Sequence, residues 1–139
     1  MIAYPARFQK ADEGGYVVEF VDIPSCVTEG DTLNEAQTMA KEALTAILCS
    51  LDSREMAIPD ASDISGEDIY LIEPELKAAF AITLKKERER LGLSQKEVAE
   101  RLRVKQAFYQ RIENLRKTNP TLGIIEKLQR VYGRRFIAL

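Results

Sequence analysis

The 139-residue sequence contains no histidine, no tryptophan and only two cysteines, Cys26 and Cys49. Without histidine, neither a Cys-His dyad nor a zinc site of mixed cysteine and histidine ligands can form. The two cysteines lie too far apart for a zinc-binding pair, so we expect them to be buried thiols. The sequence therefore predicts no metal site and no cofactor.

Long hydrophobic runs are also missing. No segment approaches the ~20 consecutive apolar residues of a membrane-spanning helix. Residues 2–8 lack the basic stretch and the apolar stretch that make up a signal peptide. We therefore expect a cytoplasmic protein that does not bind a membrane.

Positive charge is scarce in the first half of the chain. Residues 1–73 hold 4 Lys and Arg against 15 Asp and Glu, a net charge of −11, whereas residues 74–139 hold 16 against 7, a net charge of +9. This division at Pro74 predicts two modules with different partners, a cationic partner for the first and phosphate groups for the second. The alternative is one domain with two solvated faces that attract each other.

The acidic half has the pattern of a small sheet covered by one helix. Alternating apolar residues over residues 2–8 and 16–21 flank Gly14 and Gly15, which predicts a β-hairpin. A short third strand could follow near Val27. Thr32 and Glu35 form a capping box at the start of a helix that we expect to end near residue 53. With a fourth strand over residues 69–72, the order is β-β-β-α-β, a small α+β module.

The basic half predicts an all-α domain. Apolar residues recur at helical spacing from Glu75 to Gly92, and Ser94 and Glu97 form a second capping box. A three-residue connection then leads into a short helix at residues 106–114, and Thr121 caps a further helix. Two short helices joined by a tight turn form a helix-turn-helix, whose second helix enters the major groove of DNA.

Two families share motifs with this sequence. The first half resembles the HicB antitoxins in the order and spacing of four segments: Tyr4-Pro5, residues 13–18, residues 20–24 and residues 30–36. The resemblance implies a partial ribonuclease-H-like fold that binds HicA, a small basic toxin that cleaves messenger RNA. The net charge of −11 is suited to such a partner on independent grounds. Candidate toxin-binding residues are Glu29, Asp31 and Glu35, although other acidic residues of the first half are nearly as suitable.

The second half is similar to the Cro and phage-repressor (Xre) DNA-binding domains, through residues 93–102, 111–114 and 119–121. The resemblance implies that Gln95 contacts phosphate and braces the recognition helix. It also implies that other polar residues read base edges or line the DNA backbone. The base-reading candidates are Lys105, Gln106, Gln110 and Arg111, and the backbone candidates are Arg116, Lys117, Thr118 and Asn119.

Three residues depart from the repressor pattern. Arg103 stands where the family has a glycine, so a positive φ would be strained and the turn could differ slightly. Lys105 replaces the usual Ser or Thr cap of the recognition helix, and Leu115 replaces a glycine. Phe108 lies at a position that is commonly exposed, and we expect it to pack in the core or an interface rather than read DNA.

These patterns predict three domains: an acidic toxin-binding domain at residues 1–73, a helix-turn-helix domain at residues 74–133 and an apolar tail at residues 134–139. Recognition of two DNA half-sites predicts a homodimer or a higher even-numbered oligomer, and the tail could be the strand that joins the copies. The expected function is that of an antitoxin that neutralises a HicA-like toxin and represses its own operon.

Two alternatives remain from the sequence. The chain could be a plain repressor whose first module dimerises or senses a small ligand. It could also be a nuclease, if several carboxylates converged on a Mg²⁺ ion. Most of these carboxylates have structural explanations in turns or caps, so no enzyme is predicted. The carboxylates in question are Asp12, Glu13, Glu19, Asp22, Glu29 and Asp31.

Overall fold

The computed structural model describes residues 2–136, which divide into two compact units between Leu76 and Lys77. The change of charge at Pro74 lies three residues from this division. Each unit contains its own set of buried apolar side chains. The expected α+β class is confirmed, with a sheet and one long helix in the first unit and helices alone in the second.

The first unit contains strands β1 (Tyr4–Lys10), β2 (Tyr16–Phe20) and β3 (Val27–Gly30), helix α1 (Leu33–Ser53) and strand β4 (Ile69–Ile72). The predicted β-β-β-α-β order is therefore confirmed. The strands form one antiparallel sheet in the order β3-β2-β1-β4. Consequently β1, the first strand of the chain, pairs with β4, the last.

The β1–β2 hairpin depends on its two glycines. Gly14 and Gly15 both adopt positive φ, at 97° and 76°, a conformation that costs glycine little. They bring Lys10 opposite Tyr16 in the ladder. This register places alternate side chains, among them Ala6, on the buried face of the sheet.

Helix α1 covers the buried face of the sheet. The Thr32 hydroxyl accepts a hydrogen bond from the N–H of Glu35 at 3.1 Å, as predicted, while the Glu35 carboxylate accepts from the N–H of Asp31 at 3.1 Å. The helix contributes a fully buried ridge at i, i+4 spacing. That ridge consists of Ala36, Ala40, Leu44 and Leu48.

The connector between α1 and β4 is tied to the sheet. The Tyr4 hydroxyl donates to the carbonyl of Pro59 at 2.6 Å, and the Asp22 carboxylate accepts from the N–H and hydroxyl of Ser62 at 2.8 and 3.1 Å. Ile58 is buried. The polar composition of residues 57–67 therefore does not make this segment a free linker.

The second unit contains α2 (Leu76–Arg90), α3 (Gln95–Leu102), α4 (Gln106–Ile112) and α5 (Leu122–Tyr132). Helix α3 opens with the predicted capping box, in which Ser94 and Glu97 exchange hydrogen bonds of 3.0 and 3.1 Å. The hydroxyl of Thr121 caps α5, and Gly133 ends that helix at a positive φ of 67°. The predicted caps at Ser94 and Thr121 are confirmed, whereas α4 ends at Ile112, two residues before the predicted 114.

The helices of the second unit enclose one apolar core. Two aromatic residues anchor it through their hydroxyl groups, since the oxygens of Tyr109 on α4 and Tyr132 on α5 lie 2.6 Å apart. Phe136 is also buried, with edge-to-face contacts to Phe80 and Tyr132. The remaining buried members are Leu84, Val98, Ala99, Leu102, Ile112 and Leu128.

The position of Phe136 bears on the predicted dimerisation tail. Because this side chain packs within its own unit, it is not presented to a second copy. Ile137, Ala138 and Leu139 lie outside the described residues, so a joining strand built from them stays a prediction.

Both cysteines are free and buried, as expected. In residues 2–136, none of the helices has both the length and the apolar character needed to cross a membrane.

Candidate functional site

The turn between α3 and α4 fixes the geometry of the candidate DNA-binding motif. Arg103 adopts the left-handed conformation, with φ 58° and ψ 45°, and its N–H donates to the carbonyl of Glu100 at 3.1 Å. The N–H of Val104 donates to the carbonyl of Ala99 at 3.0 Å. Arg103 thus holds the positive φ that is strained for a residue with a Cβ, and a slight difference of this turn from the family's stays a prediction.

Helix α4 divides into a buried stripe and an exposed face. Tyr109 and Ile112 are buried in the core, at 0% and 4% exposure. The remaining side chains of the helix point to solvent because they lie on its other face. The structure thus brings three of the predicted base-reading residues onto one exposed surface, which we call the α4 face. It consists of Gln106, Ala107, Phe108, Gln110 and Arg111.

Lys105 occupies the N-cap of α4 and is exposed. Its side chain makes no capping hydrogen bond within residues 2–136. The Lys105 side chain therefore leaves the start of α4 without a side-chain cap, and a cationic residue stands at that helix end. Both features suit a DNA phosphate.

A buried carboxylate holds the far end of α4. Glu113, 2% exposed, accepts two hydrogen bonds from the guanidinium of Arg88 on α2, at 2.6 and 3.0 Å. Arg88 also donates to the carbonyl of Leu93 at 3.0 Å. The carboxylate partner raises the pKa of Arg88 above its ordinary value despite partial burial. This Arg88–Glu113 pair connects α2 to the end of the recognition helix.

Gln95 joins the same carboxylate. Its side-chain amide donates from Nε2 to Oε1 of Glu113 at 3.1 Å, so it contacts the end of the recognition helix as the repressor pattern implied. The side chain is only partly buried. The second N–H of the amide is therefore able to donate to a phosphate, which stays a prediction.

The loop after α4 presents the predicted backbone contacts. The Asn114 side-chain oxygen accepts from the N–H groups of Arg116 and Lys117, both at 3.1 Å. These two cations and Asn119 are exposed. Thr118, by contrast, is buried, and its hydroxyl has no hydrogen-bond partner in the described part of the chain. Of the four candidates, Thr118 alone is turned away from solvent.

Leu115 and Phe108 have opposite surroundings. Leu115, in place of the family glycine, is 2% exposed. Phe108 is 46% exposed, so the expectation of core packing was wrong for this residue. Tyr109 and Ile112 already fill the buried stripe of this short helix, and Phe108 lies outside it. The interface contact expected for its ring stays a prediction.

Sequence reasoning missed the Arg88–Glu113 pair. The two residues are 25 positions apart on separate helices, so no local periodicity links them. Glu113 lies between the buried residues Ile112 and Leu115, and a carboxylate in such a position requires a cationic partner. That signal predicts that a partner exists, but it does not identify Arg88.

The acidic half has a second candidate surface at β3 and the start of α1. Glu29, Asp31 and Glu35 are all exposed. No Lys or Arg occurs between residues 11 and 40, while seven Asp and Glu do. The three predicted toxin-binding residues therefore belong to a segment of uniformly negative charge.

The carboxylates considered for a nuclease do not assemble. Across the residues that the structure describes, no three Cys, Asp or Glu side chains come together in a group able to hold a metal ion. Asp22, one of the candidates, is engaged with Ser62. The Mg²⁺ site of the nuclease alternative is not present among them.

Comparison with protein families gives two matches along the chain. Residues 3–81 match a family described as HicB-like antitoxin of bacterial toxin-antitoxin systems, and residues 84–139 match a helix-turn-helix family. The boundary between the two matches, at residues 81–84, lies five to eight residues beyond Leu76, where the first structural unit ends.

The chain is also similar to individual proteins, among them two named as HicB antitoxins. Antitoxin HicB of Escherichia coli K12 is 38% identical over 71% of this chain and 71% of its own length. Antitoxin HicB 1 of Photorhabdus laumondii is 38% identical over 81% of this chain and 71% of its own length. A protein from the rep-hol intergenic region of Haemophilus phage HP1 is 35% identical over 58% of this chain and 57% of its own length.

Solved structures include one that is similar to the chain. It is a toxin-antitoxin complex from Streptococcus pneumoniae, with a TM-score of 0.48, 20% identity and coverage of 97% of this chain and 90% of the other. The family rests on the sequence matches: the HicB-like match spans more than half of the chain, and the E. coli relative is aligned over more than two thirds of both proteins. The chain belongs to the HicB antitoxin family and carries an Xre-like helix-turn-helix domain.

Proposed function

We propose that this protein neutralises a small basic HicA-like ribonuclease toxin through its first unit and represses its own operon through its second. The observation that carries the proposal is the pairing of an acidic HicB-like unit with a basic unit whose recognition helix exposes a polar face. In this function the chain itself is not an enzyme. It acts by covering the toxin and by binding operator DNA.

The α4 face has the chemistry of direct base readout. Gln106 and Gln110 can each form two hydrogen bonds with adenine, and Arg111 can do so with guanine. Tyr109 anchors the helix that carries them in the core. Glu113, directly after the helix, accepts hydrogen bonds from Arg88. Side chains on a rigid helix reach base edges in a fixed register, which sequence recognition requires.

The loop after α4 supplies contacts that do not depend on sequence. Arg116 and Lys117 are exposed cations on a turn fixed by Asn114, and Asn119 follows. Such side chains bind phosphate and release counterions, so they strengthen binding to any duplex and make it dependent on salt. We propose that they position the α4 face over the major groove, together with Gln95 and Lys105.

The acidic unit supplies the toxin site. A protein that binds messenger RNA carries positive charge, and a complementary negative surface both attracts it and blocks the surface that would otherwise bind RNA. Glu29, Asp31 and Glu35 are the exposed carboxylates that we propose for this contact. Because operator DNA and a messenger-RNA-cleaving toxin are both cytoplasmic, we propose a cytoplasmic location for the protein.

We further propose that the protein acts as a homodimer or a higher even-numbered oligomer. A helix-turn-helix domain binds one half-site, and two half-sites about one helical turn apart require two copies. The number of chains can be measured by analytical ultracentrifugation of the purified protein with and without operator DNA.

Co-expression with the short reading frame adjacent to the gene tests the function directly. A small basic protein should copurify with this chain, and it should arrest growth when it is produced alone. Growth should resume when this chain is produced as well. If the chain binds its own promoter but no partner copurifies and no toxicity appears, it is a repressor with an unrelated first unit. Metal-dependent nuclease activity of the purified chain would contradict the proposal that it is not an enzyme.

A further inference from the structure

Strand β3 lies at one edge of the sheet. It pairs with β2 on one side, and in the described sheet no strand pairs with its other side. A free edge of this kind is a template for a strand from another chain. Natural proteins commonly protect such edges unless the edge binds a partner.

The ladder shows which backbone groups of β3 face outward. The N–H of Phe20 donates to the carbonyl of Cys26 at 3.1 Å, and Glu19 stands opposite Val27. In an antiparallel pair, bonded and non-bonded positions alternate. The N–H and C=O groups of Val27 and Glu29 therefore point away from β2, toward the open edge.

An apolar groove runs beside this edge. It has a volume of about 300 Å³ and lies between the start of β3 and one flank of α1. The helix contributes small or aliphatic side chains at i, i+3, i+4 and i+7, which keep the groove open. The lining residues are Ser25, Cys26, Val27, Ala43, Ala46, Ile47 and Ser50.

Charge distinguishes between the possible occupants of the edge. The segment from residue 11 to residue 40, which contains β2, β3 and the start of α1, carries seven carboxylates and no Lys or Arg. Two copies joined through β3 would place these carboxylates against each other, which costs free energy. A basic strand would be attracted instead.

We propose that the toxin docks by adding a basic strand to β3 and placing its apolar side chains in the groove beside α1. Main-chain hydrogen bonds to Val27 and Glu29 would give affinity, and the groove would select alternate side chains of the added strand. This inference rests on the proposed antitoxin function and assigns its binding site.

The test uses the complete chain and the copurifying product of the adjacent reading frame, with affinity measured by titration calorimetry. Ala46→Arg places a large cation in the groove at an exposed helix position, so the fold should tolerate it. Leu71→Arg is the matched control, because it adds the same charge at an exposed position on β4, the other edge of the sheet. We expect Ala46→Arg to weaken binding at least about 30-fold, and Leu71→Arg to change it less than about 3-fold.

A second pair of variants tests the main-chain contact. Glu29→Gln removes the charge and keeps the N–H, whereas Glu29→Pro removes both. Proline is compatible with an edge strand when the lost N–H points outward, so the β2–β3 ladder should persist. We expect Glu29→Pro to bind about 5-fold more weakly than Glu29→Gln, the effect of one lost hydrogen bond.

Three results would overturn the docking site while leaving the antitoxin function in place. The first is wild-type toxin affinity for Ala46→Arg. The second is a loss of toxin binding by the control Leu71→Arg rather than by Ala46→Arg. The third is equal toxin affinity for the two Glu29 variants. If Ala46→Arg instead abolishes self-association of the free chain, a second copy occupies the groove and the inference is wrong. Failure of the wild-type chain to bind the toxin would overturn both proposals.

Discussion

Arg88 on α2 forms two parallel hydrogen bonds with Glu113 at the end of α4, at 2.6 Å from Nε to Oε2 and 3.0 Å from Nη2 to Oε1. The arginine side chain is 13% exposed and the glutamate 2%. A paired charge in such a site is tolerated, but a single charge left there is costly. The orientation of α4 therefore depends on a contact that lies outside its exposed face.

Removing the Glu113 carboxylate should destabilise the second unit. We expect Glu113→Ala to lower the free energy of unfolding by about 3–5 kcal/mol, because Arg88 would remain partly buried without its partner. Urea denaturation followed by circular dichroism measures this change. Glu126→Ala is the control, since Glu126 forms a well-exposed ion pair with Arg130 and should cost less than about 1 kcal/mol. Equal losses for both variants would contradict the special role of Glu113.

Base-reading and phosphate-binding residues should differ in their response to DNA sequence and salt. We expect Arg111→Ala to cost about 1–3 kcal/mol on operator DNA and to relax specificity. Lys117→Ala should weaken binding to operator and scrambled duplexes alike, and should reduce the slope of log affinity against log salt by about 1. Fluorescence anisotropy at several salt concentrations separates the two. Uniform weakening by Arg111→Ala would show that this residue binds phosphate instead.

Replacing Arg103 with glycine should stabilise the helix-turn-helix. Arg103 holds a left-handed conformation that costs a residue with a Cβ about 1–2 kcal/mol, and glycine adopts it readily. We expect Arg103→Gly to raise the free energy of unfolding by roughly 1 kcal/mol after its entropic cost. Arg101→Gly is the matched control inside α3, and it should lower stability by about 1 kcal/mol. Destabilisation by Arg103→Gly would mean that its side chain supports the turn.

Gly30 permits the close approach of β3 to α1. A Cβ at this position would lie 2.6 Å from the Cα of Ala36 and closer still to its backbone nitrogen. We expect Gly30→Ala to destabilise the first unit by about 1–3 kcal/mol, because backbone must move to accommodate the methyl group. Gly66→Ala is the control, since its nearest contacts are side-chain atoms at 3.4 Å. A drop in melting temperature confined to Gly30→Ala would support this account, and equal shifts would not.

Stability should fall in alkaline solution as the paired tyrosines ionise. Burial raises the pKa of Tyr132 to about 12, and it raises the pKa of Tyr109 further above the ordinary value. Both tyrosines have a higher pKa in the folded state than in the unfolded state. Their neutral hydroxyl groups therefore stabilise the fold fully below about pH 10, and this stabilisation is lost as pH rises through 10 to 12. Denaturation at stepwise pH values measures the loss, with tyrosinate absorbance recorded in parallel. In the double variant Tyr109→Phe and Tyr132→Phe, stability should decline less steeply over that interval. An unchanged decline would mean that other groups cause the loss of stability.

Local signals predicted much of the fold. Both capping boxes and the glycine pair of the hairpin act within a few residues, so the sequence alone identifies them. The predicted order of elements followed from these signals and from apolar periodicity. The result was correct because local preference and tertiary packing agree in these segments.

Long-range contacts could not be predicted in the same way. The Arg88–Glu113 pair and the hydrogen bond from Tyr4 to Pro59 join residues 25 and 55 positions apart. Phe108 was expected in the core or an interface because apolar residues at helical spacing are usually packed, but its side chain lies outside the buried stripe of α4. Burial of a given side chain depends on which helices surround it, and periodicity alone does not contain that information.

The pairing of β1 with β4 also determines the order of events during synthesis. Tyr4 faces Ile72 in the sheet, so the sheet is complete only when the connector and the last strand have emerged from the ribosome. The helix-turn-helix follows later and closes through contacts between neighbours, such as those of α3 with α4. Because domains fold as units from the N-terminus onward, a nascent chain completes its acidic surface before its DNA-binding surface exists. Under the proposed function, a newly made molecule is therefore competent to capture a basic toxin before it is competent to bind a promoter.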